Sequence, residues 1–245
     1  MKIIIKKNYG ELSKEAAEII REGVQKKPNI VLGLPTGSSP LGCYEELIRM
    51  HKEEGLDFSR VVTFNLDEYL GLPPDHLQSY NYFMFENFFN HVNLNNKNIN
   101  IPDGMTKNVE ALSIKYEENI KEAGGIDIQL LGIGSDGHIA FNEPGTPLDS
   151  RTHMAELAES TTKDNSRFFG KEEMVPKFAI TMGVQTIFEA KKIILLASGE
   201  NKAEAVVKFI EGQITSQITA SALQKHPDAI IILDEAAASK LKGRY

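Results

Sequence analysis

The chain has 245 residues, 41% of them hydrophobic and 25% charged, which is enough apolar material for a sizeable buried core. Its net charge of -7 argues against nucleic acid as the main partner, because backbone phosphates call for a basic face. No segment approaches the ~20 apolar residues of a membrane span, and the run Ile3-Ile4-Ile5 is too short for a signal peptide, so a cytoplasmic protein that binds no membrane is expected.

Short runs rich in Ile and Val alternate with longer segments of helical period, the pattern of an α/β protein with a parallel sheet covered by helices. In chain order the sequence predicts a strand over Ile3 to Ile5, a helix over Glu11 to Lys26, a strand over Ile30 to Leu34 and a helix over Pro40 to Glu54. Cys43, the single cysteine, falls in that helix beside Leu41, Tyr44 and Leu47; it has no disulfide or thiolate-site partner and reads as core packing. A strand over Val61 to Asn65 follows, then helices over Tyr80 to Asn90 and Val109 to Ala123, and a strand over Ile126 to Ile133. The chain ends with a strand over Ile193 to Ala197, a helix over Asn201 to Glu211, a strand over Ala229 to Leu233 and a helix over Ala236 to Lys242. Without a repeat, a low-complexity stretch or a Gly/Ser linker, residues 1–245 read as one domain. The polar segment Glu143 to Val175 shows no clear strand and carries Pro144 and Pro147, as expected of a mobile flap over a site.

Ligands of open α/β sheets bind beyond the carboxyl ends of the strands, so the loops that follow the strands are the places to look for chemistry. In the first, Gly33-Leu34-Pro35-Thr36-Gly37-Ser38-Ser39-Pro40, the amides of Thr36, Gly37, Ser38 and Ser39 can close around an oxyanion at a helix N-terminus. A phosphate fits, but so does an ordinary capped turn, and the absent Gly-Lys-Ser/Thr means that no nucleoside triphosphate is implied. The second loop, Asn65-Leu66-Asp67-Glu68-Tyr69, sets two carboxylates side by side. They cannot point the same way, so one can face the site while the other joins a structural or surface network. Asp67 is taken as the inward one, able to accept a proton from carbon as a general base, although the loop alone reads more readily as a solvated acidic turn.

The third loop, Gly132 to Pro144, is the richest. Its start satisfies G-x-G-x-x-G, but it lies in mid-chain and runs through His138 and Glu143 into Pro144 instead of into a long helix, so a dinucleotide reading fails. Asp136, His138 and Glu143 form a compact set in which carboxylates orient an imidazole for proton transfer. A metal site needs more His or Cys than this stretch supplies. His51 and His91 fall near helix C-termini, His76 in a Pro-rich turn and His226 before Pro227, and Phe83, Phe85, Phe88 and Phe89 read as core. Arg167 and Lys202 are candidate phosphate cations, against the ordinary expectation that exposed Arg and Lys are solvated.

Four motifs then carry a resemblance: Gly33-Leu34-Pro35-Thr36-Gly37, Val62-Thr63-Phe64-Asn65-Leu66-Asp67-Glu68-Tyr69, Asp136-Gly137-His138-Ile139-Ala140-Phe141-Asn142-Glu143-Pro144 and Asn165-Ser166-Arg167-Phe168-Phe169. With these, nearly the whole chain resembles the glucosamine-6-phosphate deaminase family. The resemblance implies a modified Rossmann-like, open, mostly parallel sheet with helices on both faces, a three-layer sandwich, and no metal or organic cofactor. It implies that Asp67 accepts the proton in enolisation, that Asp136, His138 and Glu143 open the sugar ring, and that Thr36 to Ser39, Arg167 and Lys202 hold the substrate phosphate. Regulated hexameric members carry an Arg and a Lys, two residues apart, after a Ser-Arg-Thr segment, and bind an activator phosphate with them. Here Ser150-Arg151-Thr152 runs into His153, Met154, Ala155 and Glu156, so neither the activator site nor the hexamer carries over, and monomer or homo-oligomer is left undecided.

Two other functions compete. A 6-phosphogluconolactonase would share the fold and an Asp-Gly-His loop, yet Phe141-Asn142-Glu143-Pro144 departs from the lactonase pattern and Asp67 would have no task there. A sugar-phosphate-binding regulator would need a helix-turn-helix and could lose the acids; here the first predicted strand begins almost at once, and every acid is kept.

Overall fold

The structure is a computed structural model and describes residues 1–158, 161, 162, 169, 174–243 and 245. Seven parallel strands form the central sheet in the order β1-β10-β9-β6-β2-β3-β5, where β1 is Lys2–Lys6, β2 Val31–Leu34, β3 Val62–Asn65, β5 Ile99–Asn100, β6 Ile128–Leu131, β9 Lys192–Ala197 and β10 Ala229–Asp234. Three antiparallel strands, β4 (Asp67–Tyr69), β8 (Phe178–Thr181) and β7 (His153–Glu156), make a small second sheet.

Alternation along the strands splits the core in two. Leu32, Ile194, Leu196 and Ile232 face α1 (Tyr9–Lys26), α2 (Leu41–Glu54) and α3 (Tyr80–Asn87) through Leu12, Ile20, Tyr44, Leu47, Met84 and Phe88. Val31, Ile193, Leu195 and Ile231 face α4 (Val109–Glu122), α5 (Val184–Phe188) and α6 (Ala203–Glu211) through Tyr116, Ile120, Ile187, Val206 and Phe209. The expected open three-layer α/β sandwich results. Cys43 is buried in the first of these layers, as are Phe88 and Phe89, with Phe83 and Phe85 packed against it.

Most predicted elements are present, with local corrections. The strand read over Ile126 to Ile133 is ordered as β6 only over Ile128–Leu131. The helix read over Tyr80 to Asn90 breaks after Asn87 into a 3-10 turn at Phe89–His91, and that read from Asn201 starts as a 3-10 turn at Glu200–Lys202 before α6. The helix read over Ala236 to Lys242 is a run of turns: Asp234 caps its start by accepting the Ala237 amide at 2.7 Å, but the Ser239 and Leu241 amides bond three residues back and those of Lys242 and Gly243 go to Glu211 instead. Segment Glu143 to Val175, read as strandless, contains β7, an edge strand of mixed burial that lacks a clean alternation.

The chain runs outward from β2 through β3 to β5 and then returns to β6 on the other side of β2. This reversal puts the loops after β2 and β6 side by side, the switch point at which such sheets bind ligands.

Candidate active site

A cleft of about 200 Å³ opens at that switch point, lined from the β2 loop by Thr36 to Ser39, from the β3 loop by Asp67, from the β6 loop by Gly132 to Ser135 and His138, and from beyond β9 by Lys202. The β2 loop enters α2 at Pro40, and that N-terminus has neither a side-chain cap nor an acidic residue in its first turn. Among the described residues none accepts a hydrogen bond from the backbone amides of Gly37, Ser38 or Ser39. Their carbonyls, by contrast, are held from behind: the Tyr9 hydroxyl lies 2.9 Å from Ser38 O and 3.2 Å from Ser39 O, and accepts the Gly42 amide at 2.8 Å. A loop tethered by its oxygens with its N–H groups uncommitted is built to receive an anion.

Asp67 and Glu68 point different ways, as adjacent residues of β4 must. Glu68 is buried and accepts the amides of Tyr69, Tyr80 and Asn81 at 2.9, 2.9 and 2.8 Å, so its carboxylate holds the first turn of α3. Burial raises its pKa to about 7 against the pull of those three donors. Asp67 is 7% exposed and faces the cleft. Burial first, and the neighbouring Glu68 charge second, push it up to about 8.

In the β6 loop the His138 Nδ1 lies 2.7 Å from Asp136 Oδ1 and 3.6 Å from Glu143 Oε2. The His138 amide also donates to Asp136 at 3.1 Å, while Glu143 accepts the Ala158 amide at 3.3 Å through its other oxygen. Nδ1 and Glu143 Oε2 are buried without completing an aligned hydrogen bond, so the pair is close in charge but not locked in direction. Burial alone would raise Asp136, but the His138 ring and backbone amides hold it below the usual carboxylate range. Gly134 makes the arrangement possible, because a Cβ there would lie 2.4 Å from the imidazole. Asp136, His138 and Glu143 offer ligand atoms within 4.8 Å of one another, a set that could take a cation. The same atoms face each other as an acid–imidazole pair, which is the use their charges suit without one.

The structure therefore brings Asp67, Asp136, His138, Glu143, the Thr36 to Ser39 loop and Lys202 to one place. Arg167 lies outside the described residues. Tyr80, Phe141 and Thr161 also line the cleft, and sequence reasoning passed over them. Tyr80 stacks on Phe141 at 5.9 Å and 13°, and its hydroxyl lies 3.4 Å from that of Tyr69. The local signal nearest to it is Ser79, which caps α3 by accepting the Tyr82 amide, while Glu68 of β4 holds that first turn in place. The other histidines serve backbone: His51 Nδ1 meets Leu56 O at 2.6 Å, His91 Nε2 meets Glu86 O at 2.7 Å, His226 Nε2 meets Ala190 O at 2.8 Å, and His76 takes the Gln78 amide at 3.1 Å.

An anion-receiving loop, a buried carboxylate and an acid–imidazole cluster at the strand ends define an α/β protein equipped for proton transfer on an anionic small molecule. The chain belongs to the family of glucosamine-6-phosphate isomerases and 6-phosphogluconolactonases, which it matches over residues 6–232. It is 56% identical over 239 residues to a glucosamine-6-phosphate deaminase of Thermoanaerobacter pseudethanolicus, covering 98% of this chain and 94% of that one. With the Clostridium perfringens enzyme of that name it shares 52% over 242 residues, or 99% of this chain and 100% of the other. Among solved structures, a monomeric glucosamine-6-phosphate deaminase superposes with a TM-score of 0.96 at 47% identity, over 98% of this chain and 99% of that one. A 6-phosphogluconolactonase from Trypanosoma cruzi superposes with a TM-score of 0.77 at 24% identity, over 99% and 97%, a likeness of fold alone.

Proposed function

We propose that this chain converts glucosamine 6-phosphate to fructose 6-phosphate and ammonia by general acid–base catalysis. The observation that carries the reading is the buried Asp67 carboxylate, held in the same cleft as the Asp136–His138–Glu143 cluster and the open amides of the β2 loop. Acyl hydrolysis of a lactone has no use for a second, desolvated base of this kind, whereas abstraction of a proton from carbon does. Identities above half to relatives bearing the deaminase name favour the same choice.

The substrate phosphate sits on the amides and hydroxyls of Thr36, Gly37, Ser38 and Ser39, with Lys202 as a point charge and Arg167 as a fork, and so fixes the sugar over the β6 loop. The imidazole of His138 turns Nδ1 to Asp136 and Glu143 and leaves Nε2 to the substrate. It moves a proton from the O1 hydroxyl to the ring oxygen, and the ring opens to the aldehyde. Asp67 then takes the C2 proton and an enolamine forms. Reprotonation at C1 gives the C2 iminium, water adds at C2, and ammonia leaves, so the net reaction is an isomerisation coupled to a hydrolytic deamination. A base whose pKa stands near the working pH is well matched to this task, and such steps each contribute ~10²–10⁴-fold.

Of the flap expected over residues 143–175, residues 159, 160, 163–168 and 170–173 lie outside the described residues; Glu143 at its start and Thr161 within it both stand at the site, which supports reading the segment as its cover. The test is direct: purified protein given glucosamine 6-phosphate, without added metal or nucleotide, releases ammonia and fructose 6-phosphate in equal amounts and does not hydrolyse 6-phosphogluconolactone. Lactone hydrolysis without ammonia release overturns the reading.

A further inference from the structure

Lys202 reaches the cleft from a turn that another residue builds. β9 ends at Ala197, and Ser198 and Gly199 lead into the 3-10 turn Glu200–Lys202. Asp234, at the end of neighbouring β10 and 6% exposed, points its carboxylate into this turn. It accepts the Ser198 hydroxyl, and both of its oxygens lie 3.1 Å from the Gly199 amide. The Ala237 amide takes up Oδ1 at 2.7 Å. Gly199 adopts φ +91°, a left-handed conformation that a side chain would strain, and its carbonyl accepts the Lys202 amide at 3.1 Å. A continuous chain of bonds therefore runs from the Asp234 carboxylate through Gly199 to the backbone of Lys202.

We propose that Asp234 is a positioning residue of the phosphate subsite: it fixes the Ser198–Lys202 turn so that the lysine stands at the cleft, without itself touching substrate. The proposal rests on Lys202 being a phosphate ligand. A carboxylate suits the task because it offers acceptors to a hydroxyl and two amides at once and can donate to none of them. In Asp234→Asn the retained oxygen still serves Ala237 and stays within reach of the Gly199 N–H, but the new amide group sets a donor where the second oxygen took the Ser198 hydroxyl and shared the Gly199 N–H, so the turn is held more loosely.

The experiment is steady-state kinetics on glucosamine 6-phosphate with inorganic phosphate as a competitive inhibitor, for wild type, Asp234→Asn, Ser198→Ala, Lys202→Ala and the double variant Asp234→Asn/Lys202→Ala. Asp234→Asn is expected to raise both KM and the phosphate inhibition constant by about tenfold, with kcat held within about twofold, because it loosens a charged contact made in ground and transition states alike. Ser198→Ala moves both constants the same way by less, and it removes no charge, so it carries the test if Asp234→Asn folds poorly. In the Lys202→Ala background, Asp234→Asn adds nothing further. Unchanged KM and phosphate inhibition in Asp234→Asn and Ser198→Ala overturn the proposal, as does a full additional loss in the double variant. If Lys202→Ala itself leaves both constants unchanged, the reading of Lys202 fails and the proposal falls with it.

Discussion

The groove along α4 encloses about 1130 Å³ and the cleft at the strand ends about 200 Å³, yet the smaller hollow has the chemistry. Glu110, Glu117, Glu118 and Glu189 line the groove, with Lys121 and Arg151 as its cations. Arg151 is already spent on Glu117 and Glu189. Glu117 in turn takes the hydroxyls of Thr152 and Thr186 and the Thr152 amide; burial would raise its pKa, but these donors and Arg151 together hold it below the ordinary range. In the cleft the balance is reversed: among the described residues the amides of Gly37, Ser38 and Ser39 have no acceptor, and the Asp67 carboxylate is buried in no ion pair of its own. Groups that the fold leaves unspent locate a site better than volume does.

The largest effect expected from breaking the cleft is at Asp67. Asp67→Asn keeps the shape but cannot accept a proton, and kcat should fall about 10³-fold with KM little changed. In the wild type, ionised base grows as pH rises, so the acid limb of kcat/KM should bend near pH 8, far above an ordinary carboxylate. The same shift has a sign in stability. An unfolded Asp ionises near ~3.9 and the folded one near about 8, so between those values the folded chain alone carries the proton and loses stability as pH rises. Asp67→Asn removes that loss, and thermal melts should show the variant gaining more at pH 8 than at pH 5.

His138→Gln comes next. Without a proton carrier for ring opening, turnover of the cyclic sugar should drop about 10²-fold, while an acyclic analogue loses much less. Equal losses on both would remove His138 from ring opening. Smaller again are the phosphate contacts: Lys202→Ala, and Arg167→Ala if that side chain also reaches the phosphate, should each raise KM about tenfold or more. Tyr9→Phe, which frees the Ser38 and Ser39 carbonyls from behind, should raise KM a few-fold, and an unchanged KM would show that the loop holds its shape unaided.

For the groove the expected effect is none. A sugar-phosphate activator must bind one state better than another through contacts to its phosphate, but here Arg151 is paired, His153 turns Nδ1 to the Arg151 carbonyl at 2.8 Å, Ala155 is uncharged and Glu156 repels. N-acetylglucosamine 6-phosphate should leave initial rates at sub-saturating substrate unchanged, and saturation should be hyperbolic. Several-fold activation would make the groove a second functional hollow and undo the contrast.

Much of the cleft was legible because its groups are consecutive: Thr36 to Ser39, Asp67-Glu68 and Asp136 to Glu143 each lie in one loop after one apolar run. The central strands were legible for the same local reason, being short, continuous and rich in Ile and Val. What escaped depends on distance in sequence. β4, β7 and β8 are three or four residues each and are strands only because they pair with one another. Nothing in the residues around Tyr80 says that its hydroxyl meets that of Tyr69, and Asp234 reaches Ser198 across 36 positions. Conversely, Ala236 to Lys242 has helical composition, but its last amides are drawn off by Glu211, 31 and 32 positions away, and the segment stays a run of turns.

The central claim is that Asp67 removes the proton from C2, and hydrogen exchange at that carbon tests it most directly. Glucosamine 6-phosphate incubated in deuterated water with wild-type protein should acquire deuterium at C2 in recovered substrate or at C1 in the fructose 6-phosphate formed. Asp67→Asn should still bind the sugar phosphate but show neither label above the background of heat-inactivated protein. Exchange at the wild-type rate in Asp67→Asn would contradict the account and assign the proton to another base.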